Sequence, residues 1–519
     1  MSAPTYYVTT PIYYVNDAPH IGHAYTTLAC DVLARFKRLD GFDVKFLTGT
    51  DEHGQKVEKS AQAAGTDPQA FTDRVSQNFR DLADFMNFSH DDFIRTTEQR
   101  HKISVQDLWK KLLAAGEIYE GSYAGWYATR DEAFYTESEL EKKPDGTRIA
   151  KASGAEVEWV EEPSFFFKLS AWQDRLLAYY DANPDFILPK TRRNEVISFV
   201  KGGLQDLSVS RTTFKWGVPV PDNDDHIMYV WLDALTNYIT AVGYPETENG
   251  EYATYWPADV HMVGKDILRF HAVYWPAFLM AAGLEAPKRV FAHGWWTNEG
   301  QKISKSLGNV IDPIQLVETY GLDQVRYFLL REVPFGNDGD FSHSAMVNRM
   351  NGELANDFGN LAQRVLSMVF KNCDKAFPAH GEFTAEDNEL LEAVHGLIDD
   401  LRASIDLQAF NEALEKIWVV IRAANAYVDH QAPWALRKTD PDRMKTVLYV
   451  LSESIRHLAI VAQPFMPQTM EKLLDQLKVS PNHRTFAFLG PEHALEAGVE
   501  LDKPQGIFPR FVDPEADNA

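Results

Sequence analysis

His20-Ile21-Gly22-His23 places two imidazoles on either side of a residue without a side chain, directly ahead of a run whose apolar positions recur at helical spacing. A helix N-terminus offers free backbone N–H groups and the positive end of the dipole, so an anion is favoured there, and Gly22 would let it approach the backbone. The imidazoles can donate to oxygens gaining charge at a reacting phosphorus. The chemistry suggested is phosphate handling, with two blander readings beside it: satisfied surface histidines, or half of a metal site. About 280 residues on, Gly300-Gln301-Lys302-Ile303-Ser304-Lys305-Ser306-Leu307-Gly308-Asn309 sets Lys302, Ser304 and Lys305 between glycines. That is a mobile cationic loop suited to a polyphosphate leaving group, or else an ordinary solvated loop. Asp51 closes a second apolar run and is placed either to hold a substrate ammonium or to cap a strand end.

These residues need elements to bring them together. Tyr6 to Val15 is rich in aromatic and β-branched residues, as a buried strand of a parallel sheet should be. Asn16 to Pro19 stops it, and Pro19 bends the chain into the histidines. From Gly22 the residues Leu28, Val32, Leu33, Phe36 and Leu39 predict a helix, Gly41 a left-handed stop, and Val44 to Leu47 a returning strand. Strand, helix and strand make a βαβ crossover, whose ligand lies beyond the carboxyl ends of the strands. Gly49 to Lys56 superficially matches a P-loop but fails, because its lysine sits one position late and Val57 stands where a metal-binding hydroxyl is needed.

Helices are expected up to about Gly116. Residues 117–218 differ: Tyr123 to Tyr127, Ala133 to Tyr135 and Phe165 to Phe167 are short β-like runs between charged turns, and they predict an insertion between two halves of the sheet. The second half should resume near Trp216. There Met228 to Leu232 is strand-like ahead of a helix from Asp233, and His261 to Gly264 is a strand ahead of a helix that puts Ile267 and His271 four apart. From Ser344 onward the pattern is that of a helix bundle.

Composition bounds the function. Of 519 residues, 45% are apolar, which is ample for two to four domains with real cores. The Ala272 to Leu284 run is too short to span a bilayer, and the first five residues carry no targeting pattern, so no membrane role is expected. Only Cys30 and Cys373 are present, which excludes a disulfide framework and a four-cysteine metal site and fits a reducing cytoplasm. A net charge of −24 argues against indiscriminate nucleic-acid binding and against DNA as a partner. Local basic faces remain conceivable: Lys190, Arg192 and Arg193 with Lys201 and Arg211; Arg364 with Lys371; and Arg437 and Lys438 with Arg443 and Lys445.

Taken together, His20-Ile21-Gly22-His23 and Lys302-Ile303-Ser304-Lys305-Ser306 resemble the paired signatures of class I aminoacyl-tRNA synthetases, and the surrounding residues resemble the methionyl members. The resemblance implies an α/β, Rossmann-like parallel-sheet catalytic domain with an inserted connective domain, followed by an all-α anticodon-binding bundle. The corresponding spans are 1–116 and 219–297 for the two sheet halves, 117–218 for the insertion, 298–345 for the lysine-loop linker and 346–519 for the bundle and tail. It implies methionine activation by ATP with Mg²⁺, then transfer to the terminal ribose of tRNA(Met). His20, His23, Lys302 and Lys305 would be catalytic.

Ile12, Tyr14, Asp51, Trp231, Ala234, Leu235, Tyr238, Ile267 and His271 would bind methionine, although aromatics in such positions are usually just core. Gly22, Gly264, Asp266, Trp295 and Ser304 would join the catalytic residues on ATP. Asn360, Arg364 and Trp434 would read the anticodon; without the resemblance, a core tryptophan and a surface arginine would be the simpler reading. The family's insertion often carries zinc knuckles, but residues 117–218 contain neither cysteine nor histidine, so no structural zinc is expected. A monomer is expected. A small nucleotidylyltransferase would not need the second loop and the helical domain. Leucyl, isoleucyl and valyl enzymes carry a far larger insertion, and the cysteinyl enzyme needs zinc. Intact His20, His23, Lys302 and Lys305 argue against a silent paralogue.

Overall fold

The computed structural model describes residues 3–15, 18–303 and 308–512, which group into two compact units. One takes residues 5–19 and 45–293; the other takes 20–44 and 294–512 with the first residues of the chain.

The first unit is built on a parallel sheet. Its strands are β1 (Thr5–Thr9), β2 (Tyr13–Tyr14), β3 (Asp43–Asp51), β4 (Asp92–Arg95), β10 (Ile187–Leu188), β15 (Val260–Gly264) and β16 (Val290–His293), numbered in chain order. The order is β10-β16-β15-β1-β3-β2, with β4 also on β3, and the pairings of β1 with β15, β15 with β16, β16 with β10, and β3 with β2 and β4 are all parallel. This is the Rossmann-like sheet. The single strand expected over Tyr6 to Val15 is broken in two. Pro11 has no N–H to give a neighbour, so the ladder lapses between Thr9 and Tyr13.

Between β3 and the insertion run α2 (Gln55–Ala63), α3 (Pro68–Phe85, capped by Asp67) and α4 (Gln99–Ala114). The insertion is organised by a long antiparallel pair, β5 (Ile118–Ala128) with β9 (Glu158–Phe167), extended by β6 (Ala133–Tyr135) and accompanied by the hairpin of β7 (Leu140–Lys142) and β8 (Arg148–Ala150). Helices α5 (Gln173–Ala182) and α6 (Lys190–Lys201) flank β10, so the main sheet takes a strand from Ile187, well ahead of the resumption expected near Trp216. A two-residue strand leaves too little pattern to be read from sequence. The strands β11 (Leu207–Ser208), β12 (Ser210–Arg211), β13 (Pro219–Val220) and β14 (Asn223–Met228) lead to α7 (Val230–Leu235) and α8 (Asn237–Thr240). The strand-like run ends earlier than expected, and Trp231 and Leu232 are helical. Helix α9 (Gly250–Tyr255) precedes β15. A 3₁₀ turn at Lys265–Ile267 and a π turn at Phe270–Tyr274 then lead into α10 (Trp275–Ala281).

The second unit begins with α1 (Ile21–Leu39). It continues with β17 (Trp296–Asn298), β18 (Gln301–Lys302) and β19 (Gly339–Phe341), the last parallel to β17, and with α11 (Pro313–Tyr320) and α12 (Leu322–Arg331). The bundle runs from α13 (His343–Asn348) through a π-helical stretch (Arg349–Gly359) into α14 (Asn360–Asn372). It ends with α15 (Ala385–Asp406), α16 (Phe410–Gln431), α17 (Pro433–Thr439), α18 (Pro441–Ala462) and α19 (Pro467–Gln476). Met350, Leu354, Phe358, Leu361 and Val365, the stripe read from sequence, are all buried. Thr384 and Asp387 close a capping box on α15.

Helix α1 is tied to the helical elements by charge. Arg326 on α12, fully buried, donates to Asp31 at 2.7 Å and to the carbonyls of Pro464 and Phe465. Lys37 pairs with Asp406 and Arg402 with Asp40, each at 2.6 Å. The tail beyond Leu501 packs through Phe508 on Phe358 and Phe511 on Tyr320.

Candidate active site

The start of α1 fixes both imidazoles through the backbone. Gly22 N–H donates to His20 Nδ1 at 3.1 Å and His20 N–H donates to His23 Nδ1 at 3.0 Å. A ring nitrogen that accepts carries no proton, so both protons sit on Nε2, the atom that would donate to a phosphoryl oxygen. The two rings lie 3.9 Å apart, and burial, together with His20, pushes the His23 pKa well below the ordinary value, so His23 is neutral near pH 7. A methyl group on Gly22 would fall 2.9 Å from the His20 ring. A side chain here would push the His20 ring out of the cap as well as crowd an approaching anion.

In the same unit Trp295 is 43% exposed, and its backbone N–H donates to Asp338 at 2.8 Å. Gly294 beside it lies so close to Asn337 that a Cβ would sit 2.3 Å from that residue's carbonyl oxygen. Exposed Lys302 lies on β18 at the edge of the loop. The base of that loop is pinned by Asn309, which donates to the Lys302 carbonyl at 3.1 Å, and by Asp340, which accepts from Thr297 and Gly300. Ser304 and Lys305 lie outside the described residues.

At the end of β3 two adjacent carboxylates have different fates. Glu52 is fully occupied: Arg95 donates twice to it at 2.7 and 3.0 Å, and Thr50 and Thr97 add hydroxyls. Asp51 is buried, and its Oδ1 has no hydrogen-bond partner. Burial, then the charges of Asp233 and Glu132, raise its pKa well above the carboxylate range. A buried acceptor without a donor is costly, and a cation would relieve it.

The aromatic residues singled out in sequence lie in this unit. Trp231 stacks on Phe270 at 3.7 Å, and Ala234 and Leu235 are buried on the same helix, α7. Tyr238 reaches His271 Nε2 at 2.6 Å, while His271 Nδ1 lies 2.9 Å from the Ile267 carbonyl. The carbonyl can only accept, so Nδ1 carries the proton and Nε2 accepts from the tyrosine. Burial holds His271 down to about 4, so this imidazole is neutral. Tyr238 also stacks at 4.0 Å on His261, itself bonded to Thr9. Ile12 and Tyr14 are half-buried, and the Tyr14 hydroxyl contacts the His53 carbonyl at 3.0 Å and Glu132 at 2.8 Å. Gly264 at the end of β15 is level with His293 on β16, and a Cβ on it would meet the carboxylate of Asp266, an exposed residue on the following turn.

Sequence reasoning missed a buried triad. Asp233 accepts from His53 Nδ1 at 2.6 Å and from His101 Nε2 at 2.7 Å. Burial alone would raise its pKa, but the His53 charge and both histidine hydrogen bonds hold it well below the ordinary value. His53 and Asp233 each stand within a few residues of a predicted site residue, which was the available signal. Glu132, in contact with Tyr14 and with the Lys56 N–H at 3.0 Å, gave no such signal.

In the helical part, Trp434 stands in the first turn of α17 and is 47% exposed, with Arg364 5.9 Å above its ring. It is not a core tryptophan. Arg364 also meets Asp429 at 3.0 Å, and Asn360 is exposed on the same helix as Arg364. Arg211, counted above toward a basic face, is instead buried in an ion pair with Glu162 and lies 4.0 Å from the Tyr127 ring. Arg443 likewise is held by Asp387.

Comparison with known proteins agrees with the motifs. A family model described as class I tRNA synthetases (M) matches residues 6–366, and one described as the anticodon-binding domain of methionyl tRNA ligase matches residues 377–518. The chain is 58% identical to the methionine–tRNA ligase of Rickettsia felis, covering 98% of both chains, and 56% identical to that of Brucella suis, covering 100% of both. A structure of Mycobacterium tuberculosis methionyl-tRNA synthetase in complex with methionyl-adenylate superposes with a TM-score of 0.95 at 55% identity, over 98% of this chain and 100% of that one. The free form of the same enzyme gives 0.90 at 52% identity, over 99% of each. With both models matched in tandem and relatives this similar from end to end, the chain belongs to the methionyl class I aminoacyl-tRNA synthetases.

Proposed function

We propose that this chain joins L-methionine to tRNA(Met) in two steps. The methionine carboxylate attacks the α-phosphorus of ATP, supplied as its Mg²⁺ complex, and pyrophosphate leaves; a hydroxyl of the 3′-terminal ribose then attacks the methionyl carbonyl of the adenylate, and AMP leaves. Asp51 holds the ammonium, and the observation that carries this reading is its buried oxygen with no partner beside the aromatic-walled helix α7. Ile12, Tyr14, Trp231, Ala234, Leu235, Tyr238, Ile267 and His271 surround the side chain. Their rings suit a polarisable thioether.

His20 and His23 donate from Nε2 to the α-phosphoryl oxygens at the N-terminus of α1, where Gly22 allows close approach. Lys302 and Lys305, with Ser304, take the departing pyrophosphate. Gly264 and Asp266 receive the ribose, and Trp295 the adenine. Positioning and charge stabilisation do the work, and no covalent enzyme intermediate is needed. In the helical domain Trp434 stacks an anticodon base while Asn360 and Arg364 bond base edges.

The boundaries near residues 116, 218, 297 and 345 serve as the working division of these roles. The insertion needs no zinc: buried Arg211 with Glu162, and Tyr127 packed on Phe134 at 4.8 Å, supply a core that a metal would otherwise supply. Two buried free cysteines suit a reducing cytoplasm, and a monomer suffices because every residue given a role lies in one chain. Pyrophosphate exchange measured across the twenty amino acids tests the proposal. Exchange with methionine alone, followed by charging of tRNA(Met), is expected; exchange with another amino acid, or none, would overturn it.

A further inference from the structure

Asp233 sits on α7 between Trp231 on one side and Ala234 and Leu235 on the other, and its carboxylate is spent entirely inside the protein. One oxygen takes the His53 Nδ1 proton at 2.6 Å; the other takes the His101 Nε2 proton at 2.7 Å. His53 follows Asp51 by two positions at the end of β3, and His101 belongs to α4. On its far side His101 Nδ1 lies 3.2 Å from the Thr240 hydroxyl on α8, which itself donates to the Thr236 carbonyl at 3.0 Å. Thr240 thus closes the far side of the ring, while Nε2 carries the proton that Asp233 accepts. All three members of the chain are at most 2% exposed.

We propose that the His53–Asp233–His101 chain is a ruler for amino-acid length. Through it, one carboxylate fixes how far the ammonium-holding Asp51 stands from the side-chain wall on α7. This rests on the amino-acid site given above. An amino acid is gripped at two ends, its ammonium and its side chain, and the tolerance for one methylene more or less depends on how rigidly those ends are spaced. A hydrophobic wall alone discriminates one methylene only weakly, about 10–200-fold. Here the two ends are joined by a pair of short charge-assisted hydrogen bonds in a buried setting, the strongest kind available to side chains. The Tyr14 hydroxyl on the His53 carbonyl and the Trp216 ring edge-on to the His53 ring at 5.5 Å hold the strand end from other directions. His53, Asp233 and His101 are positioning residues and touch no substrate.

The test is steady-state pyrophosphate exchange with methionine, with ethionine (one methylene longer) and with S-methylcysteine (one shorter), varying ATP separately, for His53→Ala, His53→Gln, Asp233→Asn and Asp51→Asn. His53→Ala and Asp233→Asn are expected to raise the methionine KM about 10–100-fold, the loss of a charge-assisted hydrogen bond, while the ATP KM stays within about twofold. Preference for methionine over both analogues should narrow. His53→Gln, whose amide can still donate to Asp233, should recover most of the loss.

An unchanged methionine KM, a joint shift of both KM values with kcat, unchanged discrimination, or a His53→Gln variant as impaired as His53→Ala would each overturn the ruler. Asp51→Asn separates the two levels of the reading. If it leaves the methionine KM unmoved, the amino-acid site itself is misplaced and the ruler falls with it. If it raises that KM while His53→Ala does not, the ruler alone is wrong.

Discussion

A proton position decides what His20 and His23 can do. Because each Nδ1 is occupied by a backbone N–H, the cap of α1 delivers two neutral imidazoles with the proton already on Nε2. His23→Ala is expected to slow methionyl-adenylate formation about 10²–10³-fold while leaving methionine affinity near wild type, since one donor to developing charge is lost. Single-turnover adenylate formation alongside equilibrium methionine binding checks this. Gly22→Ala should act similarly without removing either histidine, because the added methyl displaces the His20 ring.

At Trp434, replacement by alanine should weaken tRNA charging by about 1–3 kcal/mol, the worth of one stacked base, and spare pyrophosphate exchange. Its exposure makes loss of folding the wrong expectation, and circular dichroism distinguishes the two. The cap of α1 was legible in the sequence because its histidines and glycine are local, whereas for Trp434 the local pattern alone favoured the core. The bonds of His53 and His101 to Asp233 were not legible, since those partners stand 180 and 132 positions away and meet only once the sheet and α7 are in place.

Among the elements, α1 could be read because its period and both ends are written in adjacent residues. The break at Pro11 and the two-residue β10 depend on what their neighbours across the sheet can pair with. Within the bundle, α18 carries a charged cluster that should make it acid-sensitive. Burial lowers the His457 pKa below 6.5, with the Glu453 bond opposing. For Glu453 burial would raise the carboxyl from 4.5, but hydrogen bonds from His457 and Arg456 outweigh it and bring it to about 2.

Both folded-state values lie below the unfolded ones, so unfolding takes up protons and stability falls as pH drops. The loss begins as pH passes 6.5 for His457 and continues from 4.5 toward 2 for Glu453. Thermal midpoints measured down this range should decline, and His457→Gln should flatten the upper part of the curve. Glu453→Gln should cost about 3–5 kcal/mol even at neutral pH, because Arg456 is left buried without its partner. For the insertion, chelator washing should change neither melting nor charging. One zinc per chain whose removal unfolds it would overturn the metal-free reading proposed for the insertion, in which Arg211, Glu162, Tyr127 and Phe134 supply the core.

On the scale of the whole molecule, a net charge of −24 is joined by the internal commitment of two arginines from the basic faces considered above, Arg211 to Glu162 and Arg443 to Asp387. Salt should therefore weaken tRNA charging only modestly for a nucleic-acid enzyme, as few phosphates are neutralised, and a shallow dependence of log KM for tRNA on log salt would bear this out.

The ties of α1 also bear on modularity. Lys37 on α1 and Asp40 at its end are answered by Asp406 and Arg402, and Asp31 is answered by Arg326, which is itself held by the carbonyls of Pro464 and Phe465; Arg402, Asp406, Pro464 and Phe465 all come after the family model for the synthetase part ends at residue 366. The chain is therefore not divisible where sequence families divide it. Cut after that residue, it would keep His20, His23 and the lysines proposed above for phosphate, yet leave Arg326, the partner of Asp31, without the carbonyls of Pro464 and Phe465. Shuffling of anticodon-reading domains among such enzymes would have to carry matching changes along the first helix.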